Sequence, residues 1–312
     1  MTTTGMAVAF ALSALTVGTV LGWILAAVAL PFVHRLRWAA RSRAIFGAQV
    51  RLLPLSLSVL LVVLQLQAFL RFEQSRSELP GSLLTLLAGI GFILLVSTIA
   101  HGVSCVRATA AVRAAWRQSA TRFRRSDWTG PMWVIRPSQP VVAVVGAFRP
   151  QLFVASRVLR NCSRSEMAAI IAHEAAHVRA RDPLLGLLFA FTPGTIYVRT
   201  LADELQSHWR DAAEESADQR AGEAVGHLEL AAALTKIARM MVPTSPAVPT
   251  IQLISKADVA RRVRRLVDGR FPAETSRSWW PTLTLMLMTL IAQTPAVAMR
   301  LHALLESLAH PY

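Results

Sequence analysis

Glu166-Met-Ala-Ala-Ile-Ile-Ala-His-Glu-Ala-Ala-His-Val-Arg-Ala-Arg-Asp182 is the stretch on which the reading of this chain turns. Within it, His173 and His177 stand four apart, so on a helix both imidazoles point the same way and can reach one zinc ion. Glu174, beside the first histidine, then stands over a metal-bound water as general base. A five-residue HExxH string arises by chance often enough that its context has to carry the argument. Here Ser163 followed by Glu166 reads as a capping box that starts a helix, and Met167, Ile170, Ile171 and Val178 recur at helical spacing as its buried side. Asp182-Pro183 supplies an end or a bend, because the residue before a proline is pushed out of the α region. The competing reading is a helix bearing two solvated histidines.

Outward from this helix the chain is too apolar for an ordinary soluble domain. Of 312 residues 54% are hydrophobic and 16% charged, against a usual charged share of about a quarter. The formal charge of +15 is carried almost wholly by arginine, with Lys236 and Lys256 the only lysines. The arginines flank long apolar runs, which is the pattern of cytoplasmic loops rather than of a DNA-reading face, so no direct nucleic-acid binding is expected. Cys105 and Cys162 are too few for a disulfide framework and lack metal-ligand spacing; both read as small buried hydrophobes.

Four runs are long enough to cross a bilayer, which takes about 20 apolar residues: Met6–Val33, Leu52–Leu70, Leu83–Val106 and Trp279–Met299. The first is followed by Arg35, Arg37, Arg41 and Arg43 and reads as a retained anchor with its N-terminus outside. The connection Arg71 to Glu78 balances its charges and fits the outside. Basic clusters at Arg107–Arg125 and Arg261–Arg277 put both ends of the central segment in the cytoplasm. The expected organisation is therefore a membrane region over 1–106 with three spans, a cytoplasmic domain over 107–278, a fourth span over 279–299 and a short outer tail over 300–312. Trp279 and Trp280 fit an interfacial anchor or a packing pair equally well.

The central segment is long enough for one domain with its own core. It opens as a basic helix. Between Met132 and Val154 short β-rich runs separated by Pro137, Pro140, Gly146 and Pro150 predict a small sheet or hairpin, whose edge could take up an extended peptide by strand addition or be covered. Leu184–Val198 is apolar but too short to span and is broken by Pro193-Gly194; it fits a segment that packs the domain close to the bilayer. Val242–Thr250, with three prolines, reads as a loop.

A hydrolytic zinc usually takes three protein ligands plus water. The acids of Asp211-Ala-Ala-Glu-Glu-Ser-Ala-Asp218 crowd four like charges onto about two helical turns, a cost that a divalent cation and a hydrogen-bonded imidazole would remove. Glu214 is assigned as third ligand and Asp218 as the acceptor that orients a histidine; Glu215 is the substitute ligand, and a solvated acidic face is the rival reading. His208, Tyr197, Arg210 and His227 are candidates for a donor to the oxyanion.

These residues together, Gly146-Ala-Phe-Arg-Pro-Gln-Leu-Phe-Val154, then HExxH with Val-Arg-Ala-Arg-Asp182, then Glu214-x-x-Ala-Asp218, resemble the membrane metallopeptidases of the beta-lactam sensor-transducer (Bla/Mec antirepressor) type. The resemblance implies a multi-pass α-helical membrane protein carrying a cytoplasmic α+β gluzincin-like zinc peptidase domain, with His173, His177 and Glu214 on Zn2+ and Glu174 as base. It further implies a cytoplasmic protein substrate such as a winged-helix repressor, and it aligns Arg262, in Asp-Val-Ala-Arg-Arg-Val-Arg-Arg-Leu266, with an arginine segment of such enzymes. Sensor-transducers of this type carry a penicillin-binding domain after the last span. The sequence given ends shortly after the fourth run, so a short member without that sensor is expected, close in domain content to the related heat-shock and prenyl-protein membrane proteases. An idle membrane scaffold or receptor is the alternative from another class. The oligomeric state is not fixed by the sequence.

Overall fold

A computed structural model describes residues 3–35, 38–72, 81–137, 139–240, 256–269 and 271, with 300 and 303. The fourth apolar run, its tryptophans, nearly all of the tail, most of the second connection and the 242–250 loop lie outside the described residues. Three long helices open the chain, α1 (Thr3–Arg35), α2 (Ala40–Phe72) and α3 (Ser82–Gln118), each long and apolar enough to cross a membrane.

Where water is absent, helices associate through close backbone approach and hydroxyl hydrogen bonds rather than through hydrophobic burial. Both devices join these three. A side chain at Gly18 or Gly22 of α1 would collide with the backbone of α2 at Ser58 or Pro54. Thr16 Oγ1 donates to the Leu87 carbonyl of α3 at 2.8 Å, and the Thr19 and Ser58 hydroxyls meet at 2.9 Å. On the other side of α3, Leu86, Phe92, Ile93 and Val96 are exposed, as a lipid-facing surface requires. α3 does not end with its apolar run. It continues without a break through Arg107, so the basic helix expected to open the next domain is the same helix as the third span.

A four-stranded sheet follows, with β1 (Thr121–Phe123), β2 (Met132–Ile135), β3 (Val142–Val145) and β4 (Gln151–Ala155) in the order β1-β2-β4-β3. The three apolar runs of the sequence are the inner pair and one edge; β2 and β4 pair in parallel, and β3 returns antiparallel on β4. After the short α4 (Ser156–Asn161) come α5 (Arg164–Ala180), α6 (Asp182–Ala190), α7 (Arg199–Val225), α8 (His227–Met240) and α9 (Lys256–Asp268). Met132, Leu152, Val154 and Val158 pack on Met167, Ile170 and Ile171 of α5 and on Ala233 and Met240 of α8. A second cluster joins Ala169, Ala221, Leu230, Leu234, Val259 and Leu266, closing α5, α7, α8 and α9.

The domain does not keep its core to itself. The first half of α7 packs on the membrane helices: Ala202 and Leu205 meet Trp23, Ala26 and Val50, while Trp209 and Ala213 meet Ala48. The apolar stretch after Asp182 is α6 plus a turn, and it packs on the long N-terminal helices. Phe191 abuts Gly102 of α3, Trp23 Nε1 donates to the Pro193 carbonyl at 2.8 Å, and the fully buried Arg51 of α2 donates to Thr195 Oγ1 at 3.3 Å. Cys105 and Cys162 are free and half-buried, less enclosed than the sequence suggested.

Candidate active site

α5 begins where its sequence says. Ser163 Oγ accepts from Glu166 N at 3.2 Å and Glu166 Oε2 accepts from Ser163 N at 2.7 Å, so two of the orphan amides of the first turn are satisfied. The same Glu166 oxygen takes Lys236 Nζ of α8 at 2.8 Å. A buried face of Met167, Ala169, Ile170 and Ile171 then delivers His173 and His177 side by side, with their Nε2 atoms 3.1 Å apart. α7 crosses this helix and brings Glu214 to both: Oε2 lies 3.4 Å from His173 Nε2 and Oε1 3.5 Å from His177 Nε2.

Two ligands at about 2.0–2.1 Å from a tetrahedral zinc are separated by about 3.3 Å. The separations of 3.1, 3.4 and 3.5 Å therefore fit one ion held by two imidazoles and a carboxylate. Unprotonated imidazole nitrogens so close together would otherwise direct their lone pairs at each other.

Carboxylates hold the far side of both rings. Asp218 Oδ1 lies 3.1 Å from His173 Nδ1, and Asp182 Oδ2 lies 2.6 Å from His177 Nδ1. Asp218 is also gripped by Arg262 of α9, whose Nε and Nη2 donate to its two oxygens at 2.8 and 2.6 Å, while Nη1 reaches Glu214 Oε2 at 2.9 Å. Arg262 and Asp218 are only 4% and 2% exposed, so these charges are paired in a nearly dry interior. Burial disfavours the charged form of every member, and the pairing decides the outcome. For His173, desolvation is outweighed by hydrogen bonds to Asp218 and Glu214, which hold its pKa up at about 10. Glu214 and Asp218 go the other way. Against burial, Arg262 and His173 pull both below the ordinary carboxylate range.

Glu174 differs. Its burial raises its pKa, the two histidines only partly offset this, and Glu214 adds to the rise. A backbone hydrogen bond from Val144 reaches it, which sets the outer edge of β3 against α5. A carboxylate with a raised pKa beside a candidate metal site is suited to taking and returning a proton.

The structure thus brings together Glu174, His173, His177, Glu214 and Asp218. It leaves the alternative ligand elsewhere: Glu215 is paired with Arg43 at 2.7 Å and with Arg265, and Asp211 lies 3.4 Å from Arg261. Of the four oxyanion candidates, Arg210 is within electrostatic reach of Glu214. Tyr197 is exposed, His227 stacks on Phe271, and His208 sits against His34. Asp182 was read only as a helix end or bend, yet it faces His177; the signal was an acid five residues past the motif. Arg262, which the resemblance aligned with an arginine segment of such enzymes and which also fitted a basic stretch before a span, is turned inward by α9 between Val259 and Leu266, all three buried. The heptad-like Val259, Arg262, Leu266 spacing, one charge on an apolar stripe, is the clue that was available.

No curated protein and no solved structure matches the chain. Residues 108–307 match the profile of Peptidase family M48, a stretch that takes in the sheet, every residue of the site and the fourth apolar run. With HExxH on α5, an acidic helix crossing it and the profile covering well over half of the sequence, this chain belongs to peptidase family M48 and is a metallopeptidase.

Proposed function

We propose that the protein is a membrane-anchored zinc endopeptidase that cuts a protein substrate at the cytoplasmic face of the bilayer. The observation that carries this reading is the convergence of His173, His177 and Glu214 within one metal radius, with Glu174 beside them and each imidazole backed by a carboxylate. A zinc ion held by these three would acidify water and polarise a peptide carbonyl.

The chain's own groups do the rest. Asp218 and Asp182 fix the tautomer and tilt of the two imidazoles, leaving each Nε2 free to ligate. Arg262 keeps Asp218 and Glu214 in place and offsets their charge. Glu174 removes the proton from the attacking water and later delivers it to the leaving amine. The edge strand β3, whose Val144 touches Glu174, is the natural rail for an extended substrate, since its outer backbone groups can pair with a peptide.

The basic segments beside the spans support a cytoplasmic site with the N-terminus outside. The substrate class favoured by the sensor-transducer resemblance is a winged-helix transcriptional repressor. A second reading, clearance of damaged membrane proteins, is favoured by the way α6 and α7 are packed directly onto α1 and α2. Glu174→Gln decides both points. The variant should retain its metal and lose proteolysis; a metal-loaded variant that still cuts would sink the assignment of Glu174. Crosslinked to its substrates in cells, the same variant should hold one repressor under the first reading and many membrane proteins under the second.

A further inference from the structure

A second group of metal-ligating side chains converges where α1 meets α7. His34 lies in the last turn of α1, while Glu204 and His208 stand four apart on α7 and so rise from one face. His34 Nε2 is 3.3 Å from Glu204 Oε1, and the rings of His34 and His208 meet edge to face with centroids 4.0 Å apart. One ligand atom from each residue falls within 4.8 Å of the other two. Among the described residues only this group and the His173, His177, Glu214 set meet that condition.

We propose that His34, Glu204 and His208 form a second divalent-metal site, for an ion of the zinc class, that clamps the end of the first span to the helix carrying Glu214. Two imidazoles with one carboxylate select zinc and its transition-metal neighbours over calcium or magnesium, which take oxygen ligands. The His34–Glu204 separation of 3.3 Å matches the edge of about 3.3 Å expected between two ligands of a tetrahedral zinc. The side chains of His34 and Glu204 are 39% and 43% exposed, which leaves a coordination position open to water. From Glu204 the α7 backbone runs about 15 Å to Glu214, at 1.5 Å rise per residue. An ion at the first point therefore restrains the rod that positions the second. The clamp does not depend on the peptidase assignment, because it shares no residue with that site.

Cobalt titration of the full-length protein in detergent, with bound metal counted after each addition, tests this. The parent should bind one ion more per chain than either His34→Ala or His208→Ala at the same free Co2+. A His173→Ala/His177→Ala variant should keep the ion at His34, show a Co2+-dependent rise in Tm, and lose that rise when His34→Ala is added. His34 is exposed enough for its substitution to leave the helical circular dichroism unchanged. The proposal is overturned if His34→Ala and His208→Ala each bind as many ions as the parent. That outcome leaves the His173 and His177 site untouched, so the two assignments fail separately.

Discussion

At the level of single residues the site is a set of opposed charges in a dry place, and its chemistry follows from who is paired with whom. Glu174→Gln keeps size and hydrogen bonding but cannot carry a proton, so turnover should fall by about 10²–10⁴ with metal content unchanged by elemental analysis. Asp182→Asn should act on His177 alone: metal affinity falls on the order of 10–100-fold, measured by competition with a chromophoric chelator. Arg262→Ala leaves the buried Asp218 and the half-buried Glu214 without the arginine that pairs them, a loss of about 3–5 kcal/mol visible as a lower Tm. Metal affinity should also follow pH. His173 ligates only when its Nε2 has lost its proton, and its pKa is held at about 10 by Asp218 and Glu214 against burial. Metal and proton therefore compete, and apparent affinity should climb about tenfold per pH unit between about pH 6 and 9. A flat profile would mean that metal binding displaces no proton from His173.

At the level of elements, the sequence made α5 legible almost completely. Its capping box, its apolar stripe and its two histidines are all local, and local patterns survive into the fold because nothing distant has to agree. Glu214 and Asp218 were legible for the same reason, since a helical spacing of acids next to Ala-Ala and Ser-Ala announces that they share a face. Asp182 was not, and Arg262 was reached only through the resemblance to the arginine segment of the sensor-transducer peptidases. Asp182 returns to His177 only because Arg181 adopts a left-handed φ of 61° and starts α6 with no linker at all. Arg262 comes from 89 residues beyond His173, and no periodicity in α9 says which buried carboxylate it will meet. The sheet was read as present, but its strand order depends on long-range pairing and stayed open. One consequence belongs to β3. Val144→Pro removes the N–H that serves Glu174 without altering the Glu174 side chain, and an edge strand tolerates proline on its outward side. Activity should drop on the order of ten- to hundredfold, with Tm little changed.

At the level of the whole molecule, the spans and the peptidase region share packing rather than meeting at a linker. The central segment has a core of its own, and in addition Ala202, Leu205 and Trp209 are buried by α1 and α2, which the sequence did not announce. Composition identifies apolar runs but does not tell which face of a later amphipathic helix will lie against them. Residues 107–278 expressed alone should therefore aggregate or fail to hold metal, and co-expression with 1–106 should restore a monodisperse, metal-binding particle in size-exclusion chromatography. The unbroken α3 adds a constraint of another kind. From Arg107 to Gln118 it rises about 18 Å beyond its apolar run, and Trp116 rests on Phe153 of β4 with ring centroids 5.3 Å apart. The sheet is thus held at a fixed distance from the apolar stretch of α3, and under the proposed function this sets its height over the bilayer. A substrate tethered to the same bilayer would be severed at a set number of residues from its own span, and that number should shift when a helical turn is added to or removed from α3 between Arg107 and Arg113.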